Sequence, residues 1–196
     1  MAVSFKNSNT KINLMKAFAG ESQARNRYTF AASKAKKEGL AIIERVFTFT
    51  ADQEKEHAKL FYNKLKELHG QTIEITGGFP IDIYEKSLDL LKCARHNEYE
   101  EYNDVYKAFS EEAKSEGFED ISKLFERVAE IEKVHGDRFN KFIEHIENGT
   151  LFKSENEERW ICLNCGEIIT AKEAPKICEV CNHGIGYQMR HDWILI

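Results

Sequence analysis

The sequence lacks the features that mark membrane, secreted and nucleic-acid-binding proteins. Its longest apolar runs are only a few residues long, whereas a transmembrane helix needs about 20. The N-terminal stretch MAVSFKNSNTKIN has neither a basic region nor an apolar core followed by a cleavage site. The net charge of -5 has the wrong sign for a nucleic-acid surface. We therefore expect a cytoplasmic protein that binds neither a membrane nor a nucleic acid.

Proline is also rare. Only Pro80 and Pro175 occur, which leaves long stretches in which a helix can run without interruption. Glycines and a Ser-Asn-Thr cap divide the first part of the chain into four helical segments, with one long connection at residues 70–83. We expect helices at about residues 8–39, 40–70, 84–117 and 118–149. The sequence thus predicts a mainly α fold, with a four-helix bundle at 1–149, a polar linker at 150–158 and a small cysteine-containing module at 159–196.

Each predicted helix carries an apolar stripe that acidic or imidazole side chains interrupt near its middle. In the segment VAEIEKVHGDRF, helical spacing places Val128 and Phe139 on the same face as Glu132 and His135. Burying an unpaired carboxylate costs several kcal/mol or forces the group to take up a proton. These buried polar groups therefore need a partner in the protein interior.

The interrupting residues also agree in depth along the bundle. Glu21 precedes the turn at Gly39 by as many positions as His57 follows it, so an antiparallel hairpin brings them level. The second hairpin repeats this arrangement around Gly117, which indicates a diverged internal duplication. The matched groups recur at almost the same separation along the chain, and they are Glu21 with Glu98, Glu54 with Glu132 and His57 with His135.

The pattern of these residues is typical of a two-metal site. Di-iron and di-manganese carboxylate bundles share one arrangement of ligands. Two of their four helices give one acid each, and the other two helices give a Glu-x-x-His pair each. A single Glu-x-x-His pair is usually a solvated surface pair, but two at matched depth in apolar stripes favour a metal site. The oxygen-rich set suits iron or manganese better than a structural zinc. The expected ligands are Glu21, Glu54, His57, Glu98, Glu132 and His135, with Glu101 at the same level.

Four of the five cysteines form a second candidate metal site. They occur as two Cys-x-x-Cys pairs, and without a secretion signal this spacing favours metal binding over disulfides. Spacing alone does not distinguish a zinc ribbon from an iron-binding rubredoxin-like module. Trp160, Tyr187 and Trp193 are expected to build the module's core around one ion, whereas Cys93 is expected to be a small core residue of the bundle. The expected ligands are Cys162, Cys165, Cys178 and Cys181.

With both sites in view, the sequence resembles the rubrerythrin family over essentially its whole length. The segments AFAGESQARNRYTF, EKEHAK, EYEEY, EEAKSEGF and EKVH are similar to the family's helical motifs. WICLNCG, EAPKICEVC and His183 are similar to its rubredoxin-like module. The second knuckle, CEVCN, departs from the proline and glycine common in rubredoxins. Asn182 tolerates a left-handed turn, so we expect ligation to survive this change.

The resemblance implies a ferritin-like bundle with a non-haem di-iron site and one further iron on the four cysteines, which makes three irons per chain. It implies a peroxidase that reduces hydrogen peroxide and protects against oxidative stress. Electrons would come from an external reductase, fed by NADH, through the cysteine-held iron. The resemblance also implies a head-to-tail homodimer or a larger homo-oligomer.

Roles for individual residues follow from the same resemblance. Glu54 and Glu132 would bridge the two irons, while Glu101 and His57 would exchange on one iron between oxidised and reduced states. Tyr28 and Tyr102 would donate hydrogen bonds to the ligand carboxylates, although core packing explains these two residues equally well. The family's ligands correspond to Glu21, Glu54, Glu98, Glu101, Glu132 and His135.

Two other functions are compatible with the sequence. An iron-oxidising storage protein of the ferritin kind shares the bundle but has no need of four cysteines, so loading with more than a few irons per chain would favour it. A binding module is the other alternative, with a zinc ribbon that recruits a partner and a bundle that serves as a scaffold. Colourless, zinc-containing protein would favour the binding module.

Overall fold

A computed structural model describes residues 3–193, in which a bundle of long helices precedes a small three-stranded sheet. The helices are α1 (Asn9–Lys37), α2 (Ala41–Lys64), α3 (Ser87–Glu100), α4 (Tyr106–Ser115) and α5 (Glu119–Glu147), and the strands are β1 (Lys153–Cys162), β2 (Ile168–Glu173) and β3 (Gln188–Arg190). The prediction of a mainly α bundle is confirmed. The ends of the predicted domains, residues 1–2 and 194–196, lie outside the described residues. None of the described helices is both long and apolar enough to cross a membrane.

Two helical hairpins build the bundle, and their turns have the same geometry. Gly39 joins α1 to α2 with φ of +73°, and Gly117 joins α4 to α5 with φ of +90°. Glycine adopts this left-handed conformation without steric cost, so it ends a helix sharply. The closing backbone bonds run from Leu40 N to Ala35 O (3.0 Å) and from Phe118 N to Ala113 O (2.8 Å). The repeated turn supports the internal duplication inferred from the sequence.

The third predicted helix is interrupted. Residues Glu101–Val105 form a π turn between α3 and α4, where the sequence predicted one continuous helix over 84–117. A π turn accommodates one extra residue, so side chains that follow it are shifted around the helix relative to an uninterrupted α-helix. The second predicted helix also ends early, because α2 stops at Lys64 and a short 3₁₀ turn follows.

The apolar core is divided into two clusters that lie on either side of a polar layer. The first cluster, near the Gly39 turn, includes Tyr28, Phe47, Leu91, Phe139 and Phe142, and the second includes Leu14, Phe61, Tyr106, Phe125 and Val128. All these side chains are buried. The acidic and imidazole residues predicted from the sequence lie between the clusters, where apolar packing positions them and shields them from water.

The C-terminal module is an antiparallel sheet with strand order β2-β1-β3. Trp160 lies at its centre, is fully buried and donates a hydrogen bond from its indole nitrogen to Ala171 O at 2.9 Å. Residues 153–158, predicted as part of a linker, instead form the first half of β1, which pairs with β2 through a bulge. Their polar composition reflects a strand that is largely exposed to solvent.

The module packs directly on the end of the bundle. Trp193 contacts Phe142 and His145, with ring centroids 5.4 Å and 4.5 Å apart, so the expectation that it belongs to the module's own core is wrong. Arg45 of α2 donates a hydrogen bond to Leu163 O at 2.5 Å. The bundle and the module therefore share one apolar interface.

The two parts approach each other closely at Gly186. A methyl group at this position would lie 1.7 Å from the carbonyl oxygen of Gly39, so the backbone itself would have to move. We expect Gly186→Ala to destabilise the protein by about 1–3 kcal/mol through overpacking. Gly184→Ala is the matched control, because its nearest contact is 4.0 Å away. Denaturant unfolding of both variants tests this docking, and equal stability of the two would contradict it.

Candidate metal centres

The structure brings six of the seven predicted carboxylate and imidazole ligands together in the polar layer. They come from all four sides of the bundle and none is more than 5% exposed. The residues are Glu21 on α1, Glu54 and His57 on α2, Glu98 on α3, and Glu132 and His135 on α5. The depths counted along the sequence therefore correspond to one level of the folded bundle.

These side chains form two ligand groups that share two carboxylates. Within each group, one ligand atom from every residue lies within 4.8 Å of the others. The groups are Glu21, Glu54, His57 and Glu132, and Glu54, Glu98, Glu132 and His135. Since Glu54 and Glu132 belong to both groups, two ions, one in each group, would share these two carboxylates.

The two oxygens of each shared carboxylate point to different groups. Glu54 places Oε2 3.0 Å from Nδ1 of His57 and Oε1 2.9 Å from Nδ1 of His135. Glu132 places Oε1 2.9 Å from Nδ1 of His57 and Oε2 2.8 Å from Nδ1 of His135. The two imidazole rings stack with centroids 5.5 Å apart. This arrangement matches a pair of cations, each with its own histidine and with two carboxylates in common.

Several buried atoms at the site have no hydrogen-bond partner, although they lie close together. They are Oε2 of Glu21, Oε1 of Glu54, Oε2 of Glu98, both oxygens of Glu132 and Nδ1 of His135. A buried polar atom without a partner costs free energy, so such a cluster needs a ligand that it can coordinate. The oxygen-rich donor set with one imidazole per group fits two divalent iron or manganese ions.

Burial and mutual charge shift the proton affinities of these groups in opposite directions. Burial, together with Glu132 and Glu54, raises the pKa of Glu21 well above its usual range, and burial raises the pKa of Glu98 to about 8. Burial opposes the shift of His57, but Glu132 and Glu54 raise its pKa to about 10. Burial likewise opposes the shift of Glu54, but His135 and His57 lower its pKa to about 2. Without metal, protons therefore occupy part of the ligand set at neutral pH.

Two tyrosine hydroxyls hold the carboxylates that are not shared. Tyr28 donates to Oε1 of Glu98, as expected, and Tyr106 donates to Oε1 of Glu21. Tyr102, for which hydrogen bonding and core packing were equally open, lies partly buried against the second apolar cluster. The π turn after Glu98 shifts the helix face, so that Tyr106 and not Tyr102 points to the site.

The two histidines differ in the hydrogen bonds that their Nε2 atoms make. Nε2 of His135 lies 3.1 Å from Oε1 of Gln53, which also accepts a hydrogen bond from Arg138 at 3.0 Å. Because this oxygen only accepts, Nε2 of His135 carries a proton, and Nδ1 is the nitrogen that would bind a metal. Arg138 is itself held by Thr50 at 2.8 Å. Among the described residues, no comparable hydrogen bond is made by Nε2 of His57.

Glu101 is the one predicted bundle ligand that lies outside both groups. It is only half-buried, at the start of the π turn, and it lines a small cavity between α1, α3 and the long connection. Its pKa is raised by burial and by Glu98 and Glu132, and Arg27 opposes this shift. The structure thus holds His57 inside the site and Glu101 outside, one of the two arrangements implied by the resemblance.

The four cysteines form a separate group at one end of the sheet. Sγ of Cys162 lies 3.6 Å from Sγ of Cys181, and Sγ of Cys165 lies 3.5 Å from Sγ of Cys178, distances that exclude disulfides. All four sulfurs lie within 4.8 Å of one another, which fits one tetrahedral ion.

The two cysteine knuckles have the same backbone geometry. Gly166 N bonds Cys162 O at 2.8 Å, and Asn182 N bonds Cys178 O at 2.9 Å. Asn182 has a φ of 58°, so the expectation that asparagine tolerates this left-handed turn is confirmed. A hydrogen bond from the backbone of His183 lowers the pKa of Cys181 to about 6, which favours the thiolate that a metal requires.

Sequence reasoning missed Tyr106, Gln53 and Arg138. The π turn that brings Tyr106 to the site leaves no periodicity signal in a single sequence. Gln53 precedes Glu54 on α2, and Arg138 lies one helical turn after His135, so their polar character on the flank of the ligand stripes was the only available signal.

Comparisons with known proteins agree with this geometry. The rubrerythrin family model matches residues 13–143 and 89–160. The rubrerythrin of Porphyromonas gingivalis is 46% identical over 187 residues, which cover 95% of this chain and 92% of that protein. The rubrerythrin of Clostridium perfringens is 42% identical over 185 residues, which cover 94% of this chain and 95% of that protein.

Solved structures give the same picture at lower identity. Fully reduced, all-ferrous nigerythrin superimposes with a TM-score of 0.64 at 27% identity, over 97% of this chain and 89% of that one. The Desulfovibrio desulfuricans bacterioferritin superimposes with a TM-score of 0.64 at 23% identity, over 72% of this chain and 82% of that one. This second likeness shows that the bundle has a ferritin-like fold.

Metal binding to the bundle should release protons. At pH 7 the raised pKa values of His57 and Glu98 keep both groups protonated in the metal-free protein, whereas ligation needs them deprotonated. We therefore expect affinity for Mn²⁺ to fall by about tenfold per released proton for each unit that the pH is lowered below 7.

Titration calorimetry in buffers of different ionisation enthalpy measures the number of protons released. Glu98→Gln is the matched control, because it removes one ionisable ligand and should release fewer protons. Mn²⁺ binding that is independent of pH and buffer would contradict the proposed proton occupancy.

Proposed function

The chain belongs to the rubrerythrin family, and on that basis we propose that it is a non-haem di-iron peroxidase. It would reduce hydrogen peroxide to two molecules of water with two electrons and two protons, and so protect the cell from oxidative stress. The observation that carries this proposal is the way Glu54 and Glu132 each divide their two oxygens between two ligand groups. Such sharing would hold two ions side by side, and two ferrous ions that give one electron each would together supply the two electrons that peroxide reduction needs.

The proposed cofactors are three irons per chain. The two bundle groups would hold two of them, and the four cysteines would hold the third. When bound, the bundle pair would supply the two electrons that reduce peroxide, and the cysteine-held iron would pass replacement electrons one at a time. The carboxylate-rich set favours iron over zinc in the bundle, and the resemblance to rubredoxin favours iron on the cysteines.

Hydrogen bonds from neighbouring side chains would fix three of the proposed metal ligands in position. Tyr106 and Tyr28 orient Glu21 and Glu98 through hydrogen bonds, and the apolar clusters on either side limit the access of water. Gln53 fixes the tautomer and the orientation of His135. Fixed ligands of this kind reduce the rearrangement needed when the redox state changes.

The ligands that would move are His57 and Glu101. We propose that they exchange at the site as its redox state changes. Two features support the exchange: Glu101 has a cavity beside it, and the described residues give Nε2 of His57 no hydrogen bond comparable to that between His135 and Gln53. A carboxylate that replaces an imidazole adds negative charge, which favours the more oxidised state.

Electron delivery is proposed to need two partners. An external reductase, fed by NADH, would reduce the cysteine-held iron, and the chain would act in the cytoplasm as a head-to-tail homodimer or larger homo-oligomer. The second cysteine pair supports such contacts, because Ile177 and Val180, which precede Cys178 and Cys181, are 60% and 66% exposed. On the bundle, Val134 of α5 is 55% exposed and lies next to His135 in sequence.

Cys162→Ser separates the roles of the two parts. We expect the iron-loaded, chemically reduced variant to consume peroxide once at a normal rate, because its bundle ligands are unchanged. Steady turnover with a reductase should then fall by orders of magnitude, because re-reduction requires the complete four-cysteine group. Stopped-flow oxidation compared with steady-state turnover measures both quantities.

Cys93→Ser is the matched control, since Cys93 lies outside the four-cysteine group. Normal steady turnover by Cys162→Ser would show that the module is structural and would favour the binding-module alternative. Loss of both reactions would contradict the division of roles. Uptake of many irons per chain by the wild-type protein would instead favour iron storage.

A further inference from the structure

A small cavity lies between the surface of the bundle and the residues that surround the carboxylate and imidazole layer. Its volume is about 190 Å³, enough for several molecules of the size of water. Solvent-exposed Gly78 and Pro80 of the long connection lie at one side, whereas Glu101 and buried Tyr106 lie at the other. Tyr106 donates directly to the ligand-group residue Glu21. The cavity thus reaches from solvent to within one residue of the candidate metal site.

Gly20 is the feature of this cavity that local structure does not explain. It lies in the interior of α1, where glycine destabilises a helix relative to alanine. Its φ is not left-handed, and a methyl group placed on it would meet no atom within 4 Å. Neither backbone conformation nor close packing therefore requires glycine here. A larger side chain at this position would reduce the open space of the cavity that Glu101 also lines.

The wall opposite Glu101 is held in place by a network of hydrogen bonds. Nη1 of Arg27 donates to Oδ2 of Asp82 at 2.6 Å, and its Nε donates to Gln23 at 2.7 Å. Asn97 of α3 donates to the same Asp82 oxygen at 2.9 Å. The long connection is thereby fixed to both α1 and α3. The cavity is consequently a defined feature of the fold, and Arg27 gives it a polar wall.

We infer that this cavity is the path by which hydrogen peroxide reaches the bundle site, and that Gly20 determines its width. The inference rests on the proposed peroxidase function and adds the route by which the substrate enters. Hydrogen peroxide, a neutral molecule of two oxygen atoms, fits this space of about 190 Å³. Gly20 thus keeps the path open, and Glu101, at the inner end, is the first of the predicted site carboxylates that an entering molecule meets.

Gly20→Leu and Gly20→Ala test the inference as a matched pair. A leucine side chain would occupy a large part of the cavity, whereas alanine adds one methyl group in open space. We expect Gly20→Leu to slow the second-order oxidation of the iron-loaded, reduced protein by hydrogen peroxide by about tenfold or more, with Gly20→Ala close to wild type. Iron content should be the same in all three proteins.

A second probe does not depend on peroxidase activity. Azide binding to the oxidised protein, followed by its visible spectrum, should also be slower in Gly20→Leu than in Gly20→Ala. If the wild type reduces no peroxide, the proposed function fails, and the azide rates still test the path.

Gly78→Leu provides a variant at an exposed position on the other wall, for the case that Gly20→Leu loses iron or does not fold. It too should slow both probes. Normal rates for both probes in a folded, iron-loaded Gly20→Leu or Gly78→Leu protein would overturn the inference and place the access path elsewhere, such as beside His57.

Discussion

The fold depends on the burial of four carboxylates and two imidazoles in the middle of a helical bundle. Charges in such an environment are stable only when they are paired or bound to metal. Three features follow from this constraint. The core is separated into two apolar clusters, tyrosine hydroxyls donate to Glu21 and Glu98, and the polar atoms without a partner face one another. Two cations would remove most of the electrostatic cost, and the surrounding apolar side chains would keep water from competing for them.

The internal duplication explains the symmetry of the site, and departures from it coincide with the features that the proposed reaction requires. The two hairpin turns and the two Glu-x-x-His pairs are equivalent in both halves. His135, however, is fixed by Gln53, whereas the described residues show no matching support for His57. Within residues 3–193 the π turn occurs only in the second half, between α3 and α4, and it places Glu101 beside the cavity. One side of the site is therefore fixed and the other has room to rearrange.

The sequence predicted well that six buried acidic and imidazole residues lie at one level of the bundle, because helices convert residue counts directly into distance. Depths counted from Gly39 and Gly117 were sufficient to bring together the six residues of the two groups. Helical periodicity failed where the helix itself changes, so it did not identify Tyr106 as the hydroxyl that donates to Glu21. It also gave no information on contacts between distant segments, such as Trp193 on the bundle, Gln53 on His135 or the pairing that turns residues 153–158 into a strand. Those contacts depend on tertiary packing, which composition and spacing do not encode.

The most direct test of the central claim is elemental analysis, with a visible spectrum, of protein purified without oxygen after iron-replete expression. Three irons per chain are expected, together with the strong red absorption of ferric thiolate once the cysteine site is oxidised, because the chain has two bundle groups and one four-cysteine group. A colourless protein with one zinc and no metal in the bundle would contradict the claim.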